Sequence, residues 1–132
     1  MFDRKFKSKN FSPEVLLKFG EAKDIICDLI IEMWRLKNRL KHLKDKLTEE
    51  DNKLIEEGFE RIRDVLDMYG FEIIDYLGED YNDGMSCRKI SQEINPNLPP
   101  DKKKIKDVFR PEIRYKDKII SQAEVIVERG EE

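Results

Sequence analysis

The residues of this chain that could do chemistry are few, and their spacing forms no reactive group. His42 is the only histidine, and Cys27 and Cys87 are the only cysteines. A Cys–His or Ser–His–acid arrangement would need His42 beside one of these thiols, together with an orienting carboxylate. A tetrahedral metal site would need more than one imidazole and two distant thiols. We therefore expect no catalytic residue and no metal site, and we interpret His42 as a solvated residue on a helix surface.

Loops that bind phosphate or calcium are also missing from the sequence. The six glycines are dispersed rather than clustered as in dinucleotide-binding or P-loop motifs, so we expect no bound nucleotide and no other cofactor. Residues 79–84 are rich in acidic and amide side chains but lack the alternating ligands and the distal Glu of a calcium loop. Lys102, Lys103 and Lys104 follow two prolines, a setting typical of a solvated loop. The sequence thus predicts a binding protein rather than an enzyme.

Composition limits the class of protein further. The chain has 132 residues, enough for one domain or for a small domain with an accessory helical segment. Charged residues make up 42% of it, yet the net charge is −3, without the basic excess of a nucleic-acid-binding protein. No apolar run is long enough for a signal peptide or a membrane span, and two cysteines suggest no disulfide framework. We expect a soluble cytoplasmic protein that binds neither nucleic acid nor membrane.

The element that must position any binding surface is a long N-terminal helix. Ser12, Pro13 and Glu14 are typical of a helix start, because Ser caps free N–H groups and Glu favours the positive end of the helix dipole. Apolar residues then recur at alternating spacings of four and three, which is the seam of a coiled coil. The apolar arc widens around Ile30 and Trp34, which favours a bundle of several helices. The seam consists of Val15, Phe19, Ala22, Ile26, Leu29, Met33, Leu36, Leu40, Leu43 and Leu47.

A second helix is expected to fold back on the first. Thr48 and Asp51 have the spacing of a capping box, and Gly70 supplies a helix stop. The apolar residues of this helix are out of phase with the seam, which predicts a turn near Thr48 and an antiparallel hairpin. One hairpin of this length cannot cover both sides of the seam. We therefore predict a homodimer held together by Ile26, Leu29, Met33, Leu36, Leu40 and Leu43.

The remainder of the chain has the pattern of strands. Residues 71–77, 105–109, 112–115 and 118–128 are rich in β-branched and aromatic side chains, with loops at 78–84 and 95–104 and a hairpin turn at Lys116 and Asp117. The predicted fold is α+β: an N-terminal helical hairpin forming a dimeric four-helix bundle, then a small, mostly antiparallel β domain. The predicted boundaries are a flexible tail at 1–11, a helical dimerisation region at 12–69, a β domain at 70–129 and a tail at 130–132. One face of the last predicted strand carries Ile119, Ser121, Ala123, Val125 and Val127.

Two segments give this order of elements a family resemblance. Residues 68–74 read Met-Tyr-Gly-Phe-Glu-Ile-Ile at the junction after the second helix. Residues 113–127 read Ile-Arg-Tyr-Lys-Asp-Lys-Ile-Ile-Ser-Gln-Ala-Glu-Val-Ile-Val, the pattern of a closing hairpin. Together with the seam helix and the shorter helix, they resemble GrpE, the nucleotide exchange factor of DnaK-type chaperones. The resemblance covers residues 19–128.

The resemblance implies a homodimeric co-chaperone of protein folding and the stress response. Its β domain would grip the ATPase domain of a DnaK-type chaperone and release ADP. By position, the chaperone-contacting Arg of the family falls on Lys118, a contacting apolar residue falls on Phe109, and the junction glycine falls on Gly70. Lys118 cannot reproduce a bidentate Arg contact. Three alternatives stay open: a GrpE-like dimeric adaptor for a different partner, a purely structural dimerisation module, and an enzyme, which no arrangement of residues supports.

Overall fold

The computed structural model describes the backbone of residues 13–131 and the side chains of residues 20–131. The predicted tail at 1–11, Ser12, Glu132 and the side chains of Val15 and Phe19 lie outside the described residues. Two helices precede six strands, so the chain is α+β as the sequence predicts. The elements are α1 (Pro13–Lys41), α2 (Glu49–Met68), β1 (Phe71–Ile74), β2 (Arg88–Ile94), β3 (Lys103–Arg110), β4 (Glu112–Tyr115), β5 (Lys118–Ser121) and β6 (Glu124–Arg129).

The connection between the helices contains the predicted turn, but α1 ends earlier than the seam implies. It stops at Lys41, and a short 3-10 turn (Lys44–Lys46) follows, so Leu43 and Leu47 lie outside the α-helix. The Thr48 hydroxyl accepts a hydrogen bond from the Asp51 amide at 3.0 Å, which is the predicted cap of α2. The Asn52 amide group donates to the Lys44 carbonyl at 2.9 Å. These local hydrogen bonds stabilise the turn, whereas the heptad pattern alone would favour a longer α1.

The strands form two small sheets rather than one. Sheet I has the order β1-β4-β5 and is antiparallel throughout. Sheet II has the order β2-β6-β3, in which β2 runs parallel and β3 antiparallel to the central strand β6. The predicted turn between β4 and β5 is confirmed: Lys116 and Asp117 have φ values of 48° and 67°, as a type I′ hairpin turn requires.

The single long strand predicted for residues 118–128 is wrong, because the chain changes sheets within it. β5 belongs to sheet I and β6 to sheet II, with a break at Gln122 and Ala123. The predicted alternation holds in β6 but fails in β5, where Ile119 is exposed and Ile120 packs against the core under α1. Three other strand boundaries differ from the prediction. Strand β2 was not predicted, β1 ends before residues 75–77, and β3 takes Lys103 and Lys104 from the predicted loop.

The buried apolar residues form two clusters, one at sheet II and one between α1 and sheet I. The buried residues of the sheet II core belong to the β domain, and Trp34 of α1 packs against them. The helix–sheet core lies where α1 packs on sheet I. Gly130 follows β6 and lies so close to the Pro99 carbonyl oxygen that a side chain would not fit there. The sheet II core contains Cys87, Ile105, Val108, Ala123, Val125 and Val127, and the helix–sheet core contains Cys27, Ile30, Ile31 and Ile113.

Candidate functional site

Helix α1 has two apolar faces, and only one of them is covered. Cys27, Ile30 and Ile31 are buried against sheet I. On the other face, the side chains of Leu29 and Leu36 are 59% and 48% exposed. At 100° per residue, the centres of the two faces lie roughly 140° apart around the helix axis. The predicted seam therefore points away from the β domain.

The described seam residues form an uncovered stripe in the single chain. Ile26, Leu29, Leu36 and Leu43 are exposed, and Ile25 beside them is exposed as well. Met33 and Leu40 are half-buried, and Met33 packs against the helix–sheet core. Contiguous exposed apolar surface of this kind is typical of interaction sites. Five of the six residues predicted for dimerisation thus lie along one side of α1, although Met33 also packs against the helix–sheet core, and the sixth, Leu43, follows the end of the helix.

A groove separates α1 from α2. Its larger part has a volume of about 460 Å³, and a second part of about 340 Å³ continues it towards the turn between the helices. Helix α2 contains no buried residue, although Phe59 and Ile62 face the groove half-buried. The apolar lining is flanked by Lys37 on α1 and Glu56 on α2. The hairpin therefore leaves apolar surface uncovered between its own helices as well as on its outer side.

Gly70 joins the helical region to the β4–β5 hairpin. It has φ +86°, a conformation that favours glycine, and it directly follows the C-cap of α2. Its carbonyl accepts a hydrogen bond from the Lys116 amide at 2.8 Å. Across the hairpin, Lys118 is exposed and pairs with Tyr115, whose ring lies 4.8 Å from that of Phe71. Gly70 and Lys118 therefore occupy the same end of sheet I.

Phe109 lies in the other sheet. It is 55% exposed on β3, and the Arg35 guanidinium of α1 lies 5.2 Å from the centre of its ring. Arg35 also donates to the Phe109 carbonyl at 3.4 Å and forms an ion pair with Glu32 at 2.8 Å. Phe109 and Lys118 belong to different sheets, so the structure does not unite these two predicted contact residues on one strand pair.

A buried polar cluster in β4 was missed by the sequence reasoning. Glu112 is fully buried, and its carboxylate accepts hydrogen bonds from Tyr76 at 3.1 Å, Ser86 at 2.7 Å and the Arg114 Nε at 2.7 Å. The hydrogen bond to Glu112 raises the pKa of Arg114 above its ordinary value. The one available signal was the spacing of Glu112 and Arg114, which places them on the same face of a strand.

The histidine and the two cysteines of the chain lie in three different parts of the structure. Cys27 and Cys87 belong to different cores, and burial raises the pKa of both thiols, which disfavours the nucleophilic thiolate. His42 is exposed in the turn after α1 rather than on the helix itself. Within residues 20–131, no cluster of His, Cys, Asp and Glu side chains is suited to hold a metal ion.

Comparison with known proteins adds no family assignment. No protein-family model matches the chain, and no curated protein sequence matches it. None of the described helices combines the length and apolar character needed to cross a membrane.

Proposed function

We propose that this protein is a homodimeric, GrpE-like co-chaperone of the cytoplasm that binds the ATPase domain of a DnaK-type chaperone and promotes ADP release. The observation that carries the proposal is the two-faced helix α1. One face holds a β domain with its own core, while the other presents an uncovered apolar stripe. A second copy on that stripe would give a four-helix bundle with its β domains facing outward.

Burial of the stripe supplies the driving force for this dimer. Leu29, Leu36 and their exposed neighbours would leave water when a second α1 packs against them. Burial of a fully exposed Leu or Ile side chain contributes about 1.5–3 kcal/mol, and each of these roughly half-exposed residues would contribute about half of that before the entropic cost of association is subtracted. The groove between α1 and α2 offers further apolar surface to the partner helices.

Exchange activity requires binding energy rather than a chemical step. A partner that binds the open nucleotide cleft more tightly than the closed one shifts the chaperone towards the open state. A shift from mostly closed to mostly open requires roughly 5 kcal/mol of differential affinity. One surface ion pair contributes at most about 1 kcal/mol. The contacts must therefore extend over a rigid surface.

In this proposal the β domain provides that surface. Exposed Phe109 supplies an apolar anchor, and Lys118 supplies a charge at the end of sheet I. Gly70 connects that end to the helices, so its φ of +86° and its bond to the hairpin turn set the angle between bundle and β domain. The choice of a DnaK-type chaperone as partner rests on the resemblance of residues 19–128 to GrpE in sequence.

A GrpE-like adaptor without exchange activity is the second candidate. It is favoured by Lys118, which lacks the planar guanidinium of an Arg. It is also favoured by the placement of Phe109 and Lys118 in separate sheets. The adaptor would use the same dimer and the same β domain for a different protein partner.

Release of labelled ADP from the DnaK-type chaperone of the same cell, measured by stopped flow, tests the proposal. We expect the wild-type protein to accelerate release at least tenfold and Lys118→Glu and Phe109→Ala to lose most of this acceleration. The matched control is Lys53→Glu, a charge reversal at an exposed position of α2, which should retain it. A chaperone that releases ADP equally fast with and without the wild-type protein would refute the exchange function and favour the adaptor.

A further inference from the structure

Glu112 stands apart from the other charged residues of the chain. Among the described residues it is the only charged one that is fully buried. Burial of a carboxylate is costly unless hydrogen bonds and an opposite charge compensate it. Here the Ser86 hydroxyl and the Tyr76 hydroxyl donate to one oxygen, and the Arg114 Nε donates to the other. These three donors fix the orientation of the carboxylate and, through it, that of one guanidinium.

Arg114 is positioned at a surface, unlike the carboxylate that holds it. Its side chain is 36% exposed, whereas that of Glu112 is completely covered. It lies on β4, the central strand of sheet I, between Glu72 of β1 and Ile119 of β5 in the strand register. Both of these neighbours are exposed. The guanidinium is therefore held on an open face of the sheet, on the strand that leads into the turn before Lys118.

Glu112 takes one donor of the guanidinium and the Tyr76 hydroxyl interacts with the group as well, which leaves the remaining N–H groups for a partner. An Arg side chain has five N–H donors in a planar fork, and the contact with Glu112 uses the one on Nε. The two terminal nitrogens match the geometry of a carboxylate with two parallel hydrogen bonds. A cation whose orientation is already fixed loses less conformational entropy on binding than a free surface side chain. Ile119 beside it offers apolar contact around the ion pair.

We propose that Arg114 is a contact residue for the partner and that Glu112 is the positioning residue that aims it, so that this face of sheet I receives a carboxylate of the chaperone's ATPase domain. The identity of the partner in this inference rests on the proposed function. The positioning of Arg114 by Glu112 is a property of the chain by itself. The two parts can therefore be tested separately.

The positioning is tested on the protein without any partner, by the exchange of Arg Nε protons with water in NMR spectra. We expect the Arg114 Nε proton to exchange at least tenfold more slowly than that of Arg88, which pairs with Glu124 at 3.4 Å through a terminal nitrogen and is 67% exposed. Glu112→Gln should remove this difference while the backbone amide spectrum stays folded. Equal exchange at Arg114 and Arg88 in the wild-type protein would overturn the positioning role.

Partner contact is tested with a double variant that keeps the fold. Glu112→Gln alone leaves Arg114 without its buried partner, whereas Glu112→Gln with Arg114→Met removes both charges and keeps similar volumes, a change that folded proteins tolerate. We expect this double variant to retain the thermal unfolding temperature within a few degrees and to bind the ATPase domain at least tenfold more weakly. The matched control is Glu124→Gln with Arg88→Met, which should bind as the wild type does.

The outcomes separate this inference from the proposed function. A folded Glu112→Gln/Arg114→Met variant with wild-type affinity would show that Arg114 is not a contact residue. It would leave the proposal of a chaperone partner unchanged. A wild-type protein that binds no ATPase domain would refute the proposed function and the contact with it, and slow exchange at Arg114 would still support the positioning by Glu112.

Discussion

The β domain and the helical region of this protein differ in how much of their apolar surface a single chain buries. In the β domain, Val125 and Val127 of β6 are fully buried, and the sheets surround them with residues of the same chain. In the helical region, α2 has no fully buried residue, and Leu29 of α1 is 59% exposed. One chain thus supplies a finished core for the β domain but only part of one for the helices.

This difference is consistent with separate tasks for the two regions under the proposed function. A unit with a complete core keeps its surface rigid without help, which suits a binding surface that must favour one conformation of a partner. A helical hairpin with uncovered apolar residues would gain stability from association, because most helical stability in proteins comes from packing of the apolar face. Helix α1 belongs to both regions, and it links the β domain to whatever covers the stripe.

The largest effect is expected from a charge placed in the finished core. Val125→Asp introduces an unpaired carboxylate among Ile105, Val108 and Val127 and should lower the stability of the β domain by about 4 kcal/mol or more. Urea unfolding and the dispersion of the amide NMR signals measure this loss. Ile94→Asp, at a position of β2 that is 59% exposed, is the control and should change stability little. Similar losses in both variants would contradict the contrast between core and edge.

A charge on the stripe should separate the chains without unfolding the β domain. Leu36→Asp would bury a carboxylate between two copies of α1, so we expect dimer affinity to fall by at least a hundredfold. Sedimentation equilibrium measures the mass, and the NMR signals of Val125 and Val127 report on the β domain. Leu77→Asp provides the same substitution at an exposed leucine of the β domain and should leave the mass unchanged. If the Leu36→Asp protein had the same mass in solution as the wild type, the stripe would not be part of the dimer interface.

Two glycines should respond to the same substitution with opposite signs. Gly70→Ala forces a side chain into a φ of +86° and places its Cβ 3.2 Å from the Lys116 Cγ, so it should destabilise by roughly 1–2 kcal/mol. Gly58 lies within α2 with open space around it, so Gly58→Ala should stabilise by about 0.5–1 kcal/mol. Thermal unfolding of both variants measures the difference. Equal effects would show that the junction has no special backbone requirement.

The smallest effect is expected where the two regions touch through Arg35. Its guanidinium stacks on Phe109, an interaction worth about 0.5–1 kcal/mol at an exposed site. Arg35→Ala should lower stability by that amount, whereas Arg39→Ala, an exposed position on the same helix, should be nearly neutral. Denaturant unfolding resolves the two. An Arg35→Ala protein as stable as the wild type would mean that the contact with Phe109 does not stabilise the packing of α1 on the β domain.

Local signals predicted the helical region and the turns, whereas contacts distant in sequence escaped prediction. Thr48 and Gly70 mark the ends of α2 because capping and positive φ are local requirements. Lys116 and Asp117 were found for the same reason. Strand β2 was missed because all seven of its residues are exposed on a sheet edge, which leaves no alternation to detect. The Glu112 cluster escaped because Ser86 and Tyr76 reach it from distant parts of the chain.

The mass of the wild-type protein in solution tests the central claim most directly, namely that α1 has one face for its own β domain and one for a second copy. Sedimentation equilibrium at micromolar concentration should give twice the 15.8 kDa of the chain. Dilution should reveal dissociation governed by the stripe that contains Leu29 and Leu36. A single species of 15.8 kDa across the micromolar range would contradict the claim.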